Sequence, residues 1–290
     1  MNWKAYFLRL TLTGDLHCGS LPLGFVSRTF PYIPCHIPVF AMVPAAVRAL
    51  AMPDRHDSYA AVEALLSSCF RCTPLYVCNE KGLPLFPWEE KSLRELEYTY
   101  LSSTYGVALD SARRSAMDGC LYETEIILAR GRNCTAPTVL TGAFFLTKGK
   151  THELVMETDG TISWRREKVA LKTVLSLMQI GGDRTRSLGR PAVPVFKPLE
   201  AKLWDKYSTD VLGTFPSLII SKGEHGPLPL ECGNYKATGN RIVLTGRRHR
   251  GTGFGEDMDH AVIAFDAGWT SDSEIRASLT SLRCASASQE

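Results

Sequence analysis

Ile180-Gly181-Gly182-Asp183-Arg184-Thr185-Arg186-Ser187-Leu188-Gly189-Arg190 lies between a predicted helix and a predicted strand. Its three glycines, Gly181, Gly182 and Gly189, let the backbone fold tightly and bring several N–H groups towards one point. Arg184, Arg186 and Arg190 add a positive field and forked donors that match phosphate. A helix C-terminus is slightly negative, so attraction for an anion has to come from the arginines and the loop amides. The same run also reads as a helix stop followed by a hydrated basic turn.

On the amino-terminal side of this run, Arg166 to Gln179 has Val169, Leu171, Val174, Leu175 and Met178 close to helical spacing, and the glycines end it. On the other side a strand is predicted from about Leu188. Trp3 to Thr13 alternates apolar and polar residues as a half-buried strand does. A Pro/Gly-rich loop is expected from Gly14 to about Pro38, then a helix over Phe40–Met52 despite Pro44. A second helix is signalled by Asp57 or Ser58 as N-cap and by Val62, Leu65 and Leu66. Leu75–Val77 reads as a strand and Glu89–Tyr105 as a helix. Cys120–Arg130 and Pro137–Thr147 read as paired strands joined by the hairpin GRNCTA.

Without its insertions, the order to about residue 198 is strand, helix, strand, strand, helix, strand. The predicted class is therefore α+β, with a ferredoxin-like or RRM-like βαββαβ core, a sheet on whose open face RNA often lies. A helical insertion is expected at about 54–118, a smaller, partly degenerate β-rich unit over 199–283 with strands near 211–221, 241–246 and 260–266, and a frayed tail over 284–290.

With 44% hydrophobic and 22% charged residues among 290, the composition is that of a soluble globular chain. A formal net charge of +3 is too small to argue for nucleic acid by itself, so clustered arginine has to carry that argument. The start, MNWKAYFLRLTLTGD, has no signal-peptide pattern, and no run approaches 18 apolar residues, so neither export nor a membrane is expected. Nine cysteines with no regular framework fit reduced thiols in the cytoplasm. Cys69, Cys72 and Cys78 lack a second ligand pair at zinc spacing and read as packing residues, so no metal and no cofactor are expected.

The run GGDRTRSLGR, after a helix and before a strand, resembles the glycine-rich loop of RAMP superfamily CRISPR-associated proteins. LTLTGDLHCGS followed by PYIPCHIPVFAMVPAAV resembles the opening of that family, in which the first strand leads through a glycine-containing loop to a Tyr-Ile-Pro or Val-Pro-Gly element. LPLFPWEEKSLRELEYTYLSSTYGVALDSARRSAMDGCLYETEII is similar to a segment of the Cas-five-like subunit of type III-D effector complexes. The resemblance implies the RAMP fold and a subunit that grips the repeat-derived handle of a CRISPR RNA for antiviral defence. Its other partners would be neighbouring Cas subunits, namely the backbone RAMPs and the large polymerase-like subunit. Arg184, Arg186 and Arg190 would then meet handle phosphates, with Gly181, Gly182 and Gly189 allowing close approach. Family members that cut target RNA carry an aspartate between the first-strand glycine and the Tyr-Ile-Pro element. Here that interval, SLPLGFVSRTFP, contains no acidic residue, so target cleavage is not expected.

A second basic loop, Thr245 to Gly255, places Arg247, Arg248, His249 and Arg250 among four glycines, with Phe254 available to stack on a base. The acidic run behind it, Glu256, Asp257 and Asp259, balances those charges rather than holding a metal. His17 and His36 are the candidates for the alternative reading, a metal-independent endoribonuclease that processes precursor RNA. Tyr32, Trp88 and Tyr105 are candidates either to stack on bases or to anchor loops. A purely structural subunit, docking through the apolar, proline-rich stretch 21–44, is the remaining alternative.

Overall fold

The computed structural model describes residues 2–199 apart from 88, 111, 114 and 193, then 202–204, 207–212 and 216–220. It also describes the strand segments 228–229, 237–238, 241–247, 258–264, 268–269 and 275–278. The chain is a mixed α+β protein. Its elements begin with β1 (Lys4–Thr11), β2 (Gly19–Leu23), β3 (Val26–Thr29), α1 (His36–Ala49) and α2 (His56–Cys69). They continue with β4 (Phe70–Cys72), β5 (Tyr76–Cys78), α3 (Glu90–Glu95), a π turn (Leu96–Tyr100), β6 (Leu101–Asp110), β7 (Ser115–Ile127) and β8 (Val139–Leu146). A small meander follows, of β9 (Gly149–Thr151), β10 (Leu154–Met156), β11 (Thr161–Trp164) and β12 (Glu167–Ala170), then α4 (Leu171–Leu177) and β13 (Val195–Pro198).

The central sheet runs β13-β1-β8-β4, with β5 also on β8, and every pairing in it is antiparallel. β1 therefore lies between two strands that come more than a hundred residues later. Tyr6, Phe144 and Phe70 stack along one face, with centroids 5.0 and 5.6 Å apart. Leu8, Leu10 and Leu12 are buried. α1 is apolar nearly all round and correspondingly buried, with Val39, Met42, Ala45, Ala46 and Val47 inaccessible. Pro38 sits in its first turn, where a missing N–H costs nothing. α2 turns Val62, Leu65, Leu66 and Cys69 inward.

A second sheet runs β2-β3-β7-β6, with β3 and β7 parallel. The two sheets are joined behind β1, where Leu16 and Ile127 exchange both backbone hydrogen bonds, at 2.8 and 2.7 Å. The Asp15 carboxylate accepts the Ala129 N–H at 2.7 Å.

Several expectations from the sequence give way here. β7 and β8 are not a hairpin: β7 belongs to the second sheet and β8 to the first. The segment between them does close at its base, where Thr138 donates its N–H to Ala129 O at 2.8 Å and its hydroxyl to Leu128 O at 2.6 Å, but beyond that point Leu16 takes Ile127 of β7 while β1 takes β8. The loop expected over 14–38 contains β2 and β3. The helix expected over 166–179 is a strand to Ala170 and a seven-residue helix after it. Ile162 and Val169 bury opposite each other, so cross-strand pairing claims the first half of that amphipathic run.

The helix expected over 89–105 ends at Tyr100, because the β-forming run Ser103-Thr104-Tyr105 pairs with Glu125, Thr124 and Glu123. α2 begins after Arg55, not at Asp57 or Ser58, and Ser58 is buried on its inner face. The insertion at 54–118 is helical only in part, because the short strands β4 and β5, each paired with β8, and most of the β6–β7 hairpin fall within it. The strand expected near Leu188 begins at Val195.

Beyond β13, β14 (Lys202–Trp204) and β15 (Tyr207–Asp210) are continuous with the core already described. Trp204 packs edge-on against Tyr76 and Phe86, with centroids 5.4 and 5.6 Å away, and Tyr207 lies 5.3 Å from Phe86. The later strands are β16 (Ser217–Ile220), β17 (Leu228–Pro229), β18 (Ala237–Thr238), β19 (Arg241–Arg247), β20 (Met258–Ala264), β21 (Gly268–Trp269) and β22 (Ile275–Ser278). Among the described residues no helix is long and apolar enough to cross a membrane.

Cys18 and Cys69 are in the core, and burial pushes both thiols from 9.0 up to about 12. A folded-state value raised above the unfolded one leaves stability intact below the unfolded value and removes it as pH climbs towards the folded value. The urea midpoint should therefore fall between about pH 8.5 and about pH 11, and fall less in a Cys18→Ala/Cys69→Ala variant. Equal losses in parent and variant would remove the thiols from the account.

Candidate nucleic-acid interface

The glycine-rich run does not end α4 as a helix cap. α4 stops at Leu177, Met178 is already extended, and Met178 and Ile180 are buried. The chain then turns back over the segment that follows β1 and locks onto it by backbone bonds. The Ile180 N–H donates to Gly189 O at 2.8 Å, closing the loop on itself. Gly182 N donates to His17 O at 2.9 Å, Gly189 N to Asp15 O at 2.7 Å, and Thr13 N to Arg190 O at 2.9 Å.

Two glycines are required by this geometry. Gly181 has φ +83° and Gly189 φ +72°. A Cβ would lie 2.1 Å from the His17 carbonyl oxygen at the first and 1.7 Å from the Ile180 carbonyl oxygen at the second. Both the backbone conformation and the available space exclude a side chain. Gly182 is needed less stringently, since its nearest neighbour would be the His17 ring at 3.3 Å.

The tip of the loop, Arg184–Arg186, is a single 3-10 turn between Asp183 and Ser187, both in the left-handed region at φ 49° and 66°. Arg184, Arg186 and Arg190 are all exposed, so the structure brings these three predicted arginines onto one loop surface. Their roles differ. The Arg186 guanidinium lies over the Tyr122 ring, 5.1 Å from its centroid, and donates to the Tyr122 hydroxyl. It also stands 3.9 Å from the Asp183 carboxylate. Arg184 and Arg190 have no side-chain ion pair among the described residues and present their donors to solvent.

Of the histidine candidates, His17 lies beneath the loop, only 9% exposed. Its Nδ1 is 2.7 Å from the Glu125 carbonyl oxygen. A carbonyl only accepts, so Nδ1 carries a proton and donates it. This ring supports the loop from below. The side chain of His36 lies outside the described residues, as do Arg248, Arg250, Phe254 and Trp88, together with Glu256 and Asp257. Of Arg247 and Asp259 the backbone is described, within β19 and β20. Tyr32 is fully buried, and burial raises its hydroxyl pKa, whereas Tyr105 is 66% exposed on β6.

Cys69, Cys72 and Cys78 are buried; Cys69 donates to Leu65 O at 3.0 Å and Cys72 to Thr73 O at 3.1 Å, while Cys78 bonds the Thr141 hydroxyl at 3.1 Å.

Sequence reasoning missed Tyr122 and the β6–β7 hairpin as neighbours of the loop. Tyr122 faces Gly106 in register, and a Cβ at Gly106 would lie 2.2 Å from the tyrosine ring. A cleft of about 310 Å³ opens here, lined by Thr104, Gly106, Tyr122, Asp183, Arg186 and Leu188 among others. Further out on the hairpin, Val107, Leu109, Met117 and Leu121 leave large apolar side chains exposed.

No family model matches the chain, and no curated protein matches it. Among solved structures it is similar to a chain of Type III-B Cmr-beta bound to cognate target RNA and AMPPnP, with a TM-score of 0.42 and 11% identity over 94% of this chain and 86% of that one. It is also similar to a chain of Type III-B Cmr-beta bound to cognate target RNA, with a TM-score of 0.40 and 9% identity over 68% of this chain and 97% of that one. A chain of the apo state of Type III-B Cmr-beta gives a TM-score of 0.36 and 8% identity over 69% and 98%. Likeness at this level does not assign a function.

Gly189→Ala should lower stability by about 2–3 kcal/mol, from the positive φ and the collision with Ile180. At about 2–4 °C per kcal/mol this reads as a Tm roughly 5–10 °C lower by calorimetry. A Tm within about 1 °C of the parent would mean that the loop does not depend on this close approach.

Proposed function

We propose that the chain is a non-catalytic, guide-RNA-binding subunit of a type III CRISPR effector complex, with a RAMP-type core. The observation that carries this reading is the glycine-rich loop, held by backbone bonds against the segment after β1 with Arg184 and Arg190 turned outward. A rigid loop that spends its own hydrogen bonds on its base leaves its cationic tip free for phosphate. The sheet order supports the RAMP part. Taking β4 and β5 as one interrupted strand, its strands run fourth, first, third, second in antiparallel pairs, the split βαβ plan. The exposed apolar side chains of Phe25, Leu109 and Leu121 suit contact with neighbouring subunits, which is compatible with RNA binding.

The alternative, a metal-independent endoribonuclease, has His17 and His36 as its candidates, of which His17 is the one described beside the loop. Its burial and its bond to Glu125 fit support of the loop better than access to a ribose hydroxyl.

Binding of the purified chain to labelled repeat-derived RNA, with the recovered RNA run on a denaturing gel, separates these readings. Each phosphate neutralised on a single strand contributes about 0.7 to the slope of log K against log salt. Two to three arginine contacts then predict a loss of roughly 10-fold between about 50 and 200 mM salt, with intact RNA. Arg184→Ala/Arg190→Ala should flatten that slope by about 1.4. RNA cut in the presence of chelator, and left whole by either His17→Ala or His36→Ala, would instead establish the nuclease. Affinity unchanged in the double variant would end the loop-based reading.

A further inference from the structure

The cleft between the β6–β7 hairpin and the glycine-rich loop is not needed to grip phosphate, and its chemistry is asymmetric. At one place stands the Arg186 guanidinium, fixed over Tyr122 and still able to donate, since a guanidinium carries five N–H groups. Beside it stands the Asp183 carboxylate, which among the described residues has Arg186 as its ion-pair partner, at 3.9 Å. At the base the Tyr122 ring lies directly on Gly106, whose missing side chain is what lets the ring pack down against β6. The wall is the Tyr122 ring, and the remaining lining is Thr104, Tyr105, Val107 and Leu188. At about 310 Å³ the space is at the small end of ligand sites, which run from roughly 300 to 1,000 Å³. That suits one flat group with a single charge attached, and is too small for a folded peptide segment.

A nucleotide of single-stranded RNA has those properties: a phosphate for the arginine, a flat base for an aromatic wall, and a polar edge for a fixed acceptor. The identity of the base follows from what a carboxylate demands, two adjacent donors for its two oxygens. Guanine presents N1–H beside the N2 amino group. Adenine and cytosine each place a ring-nitrogen acceptor next to their amino group, and uracil flanks its single N–H with two carbonyls. Three of the four bases would therefore set a lone pair against Asp183.

The geometry points to a guanine-reading subsite: this cleft takes the base of one unstacked guanosine of the bound RNA, with Asp183 on its Watson–Crick edge and Arg186 beside it on a phosphate of the RNA backbone. This subsite rests on the RNA-binding reading above and adds a base identity to it. Gripping by Arg184 and Arg190 is indifferent to sequence, whereas Asp183 in this position is not.

The test uses the full chain and four uridine-rich RNA oligonucleotides that differ only in one central residue, G, A, C or U, measured by fluorescence anisotropy at one salt concentration. The parent should prefer the guanosine oligonucleotide by about tenfold, the discrimination of one bidentate pair. Asp183→Asn, which replaces one acceptor by a donor, should reduce that preference to about twofold or less. Tyr122→Leu, which removes the aromatic wall, should do the same while binding to all four oligonucleotides stays salt-dependent. Salt-dependent binding of the parent with no base preference would overturn the subsite and leave the RNA-binding reading standing. A guanosine preference that survives both substitutions would place base reading elsewhere and equally overturn it. Failure of the parent to bind any of the four would bring down the RNA-binding reading and the subsite with it.

Discussion

The basic loop surface depends on a close approach of two stretches of backbone, the segment after β1 and the glycine-rich run before β13. Gly181 against the His17 carbonyl and Gly189 against the Ile180 carbonyl admit no side-chain atom. The hydrogen bonds from Gly182, Gly189 and Thr13 fill the gap between the two stretches. Most of the loop's anchoring backbone groups are thus satisfied inside the protein, and the part facing solvent is mainly side chain. The same contact brings the second sheet into place, because the Leu16–Ile127 bridge and the Asp15 carboxylate continue the segment that the glycines pin. Removing the approach would loosen loop, segment and hairpin together.

The three arginines of the run divide into two kinds once the hairpin is considered. Arg184 and Arg190 are exposed cations with no side-chain ion pair among the described residues. Arg186 is held by an aromatic face and faces a carboxylate, so part of its rotational freedom is already lost. A guanidinium held in this way gives up less entropy on meeting an anion than a free one does. Direction and reach are therefore distributed over neighbouring positions of one turn.

Much of the central sheet was legible in the sequence because its signals are local. The alternation in Trp3–Thr13, the apolar helix near Pro44 and the face of Val62, Leu65 and Leu66 each specify an element within one window. The misread regions are those where a distant partner decides. GRNCTA does close as a turn, with Thr138 bonded to Ala129, yet the strands leading into and out of it find distant partners in different sheets. Val169 satisfies a helical pattern and a strand pattern equally, and Ile162 across the meander selects the strand. At the site, glycine spacing revealed the close approach and the arginines revealed the charge. Nothing within a window of sequence pairs Gly106 with Tyr122, or either with Asp183, because register across a long hairpin and a contact from residue 122 to residue 186 are facts of tertiary structure.

The position of β1 at the centre of its sheet has a consequence for how the chain is made. β1 ends at Thr11, whereas its two neighbours, β8 and β13, begin at Val139 and Val195. At about 5–20 residues per second, a ribosome needs on the order of ten seconds after releasing β1 before its first partner emerges. During that interval the nascent chain carries a strand rich in leucine and aromatic residues with both edges open, the kind of segment that chaperones hold. The glycine-rich loop follows later still, and its base is the segment that β1 leads into. A chain stalled or truncated before residue 190 would lack the docked loop altogether, so the basic surface is present only on molecules whose sheet can be completed.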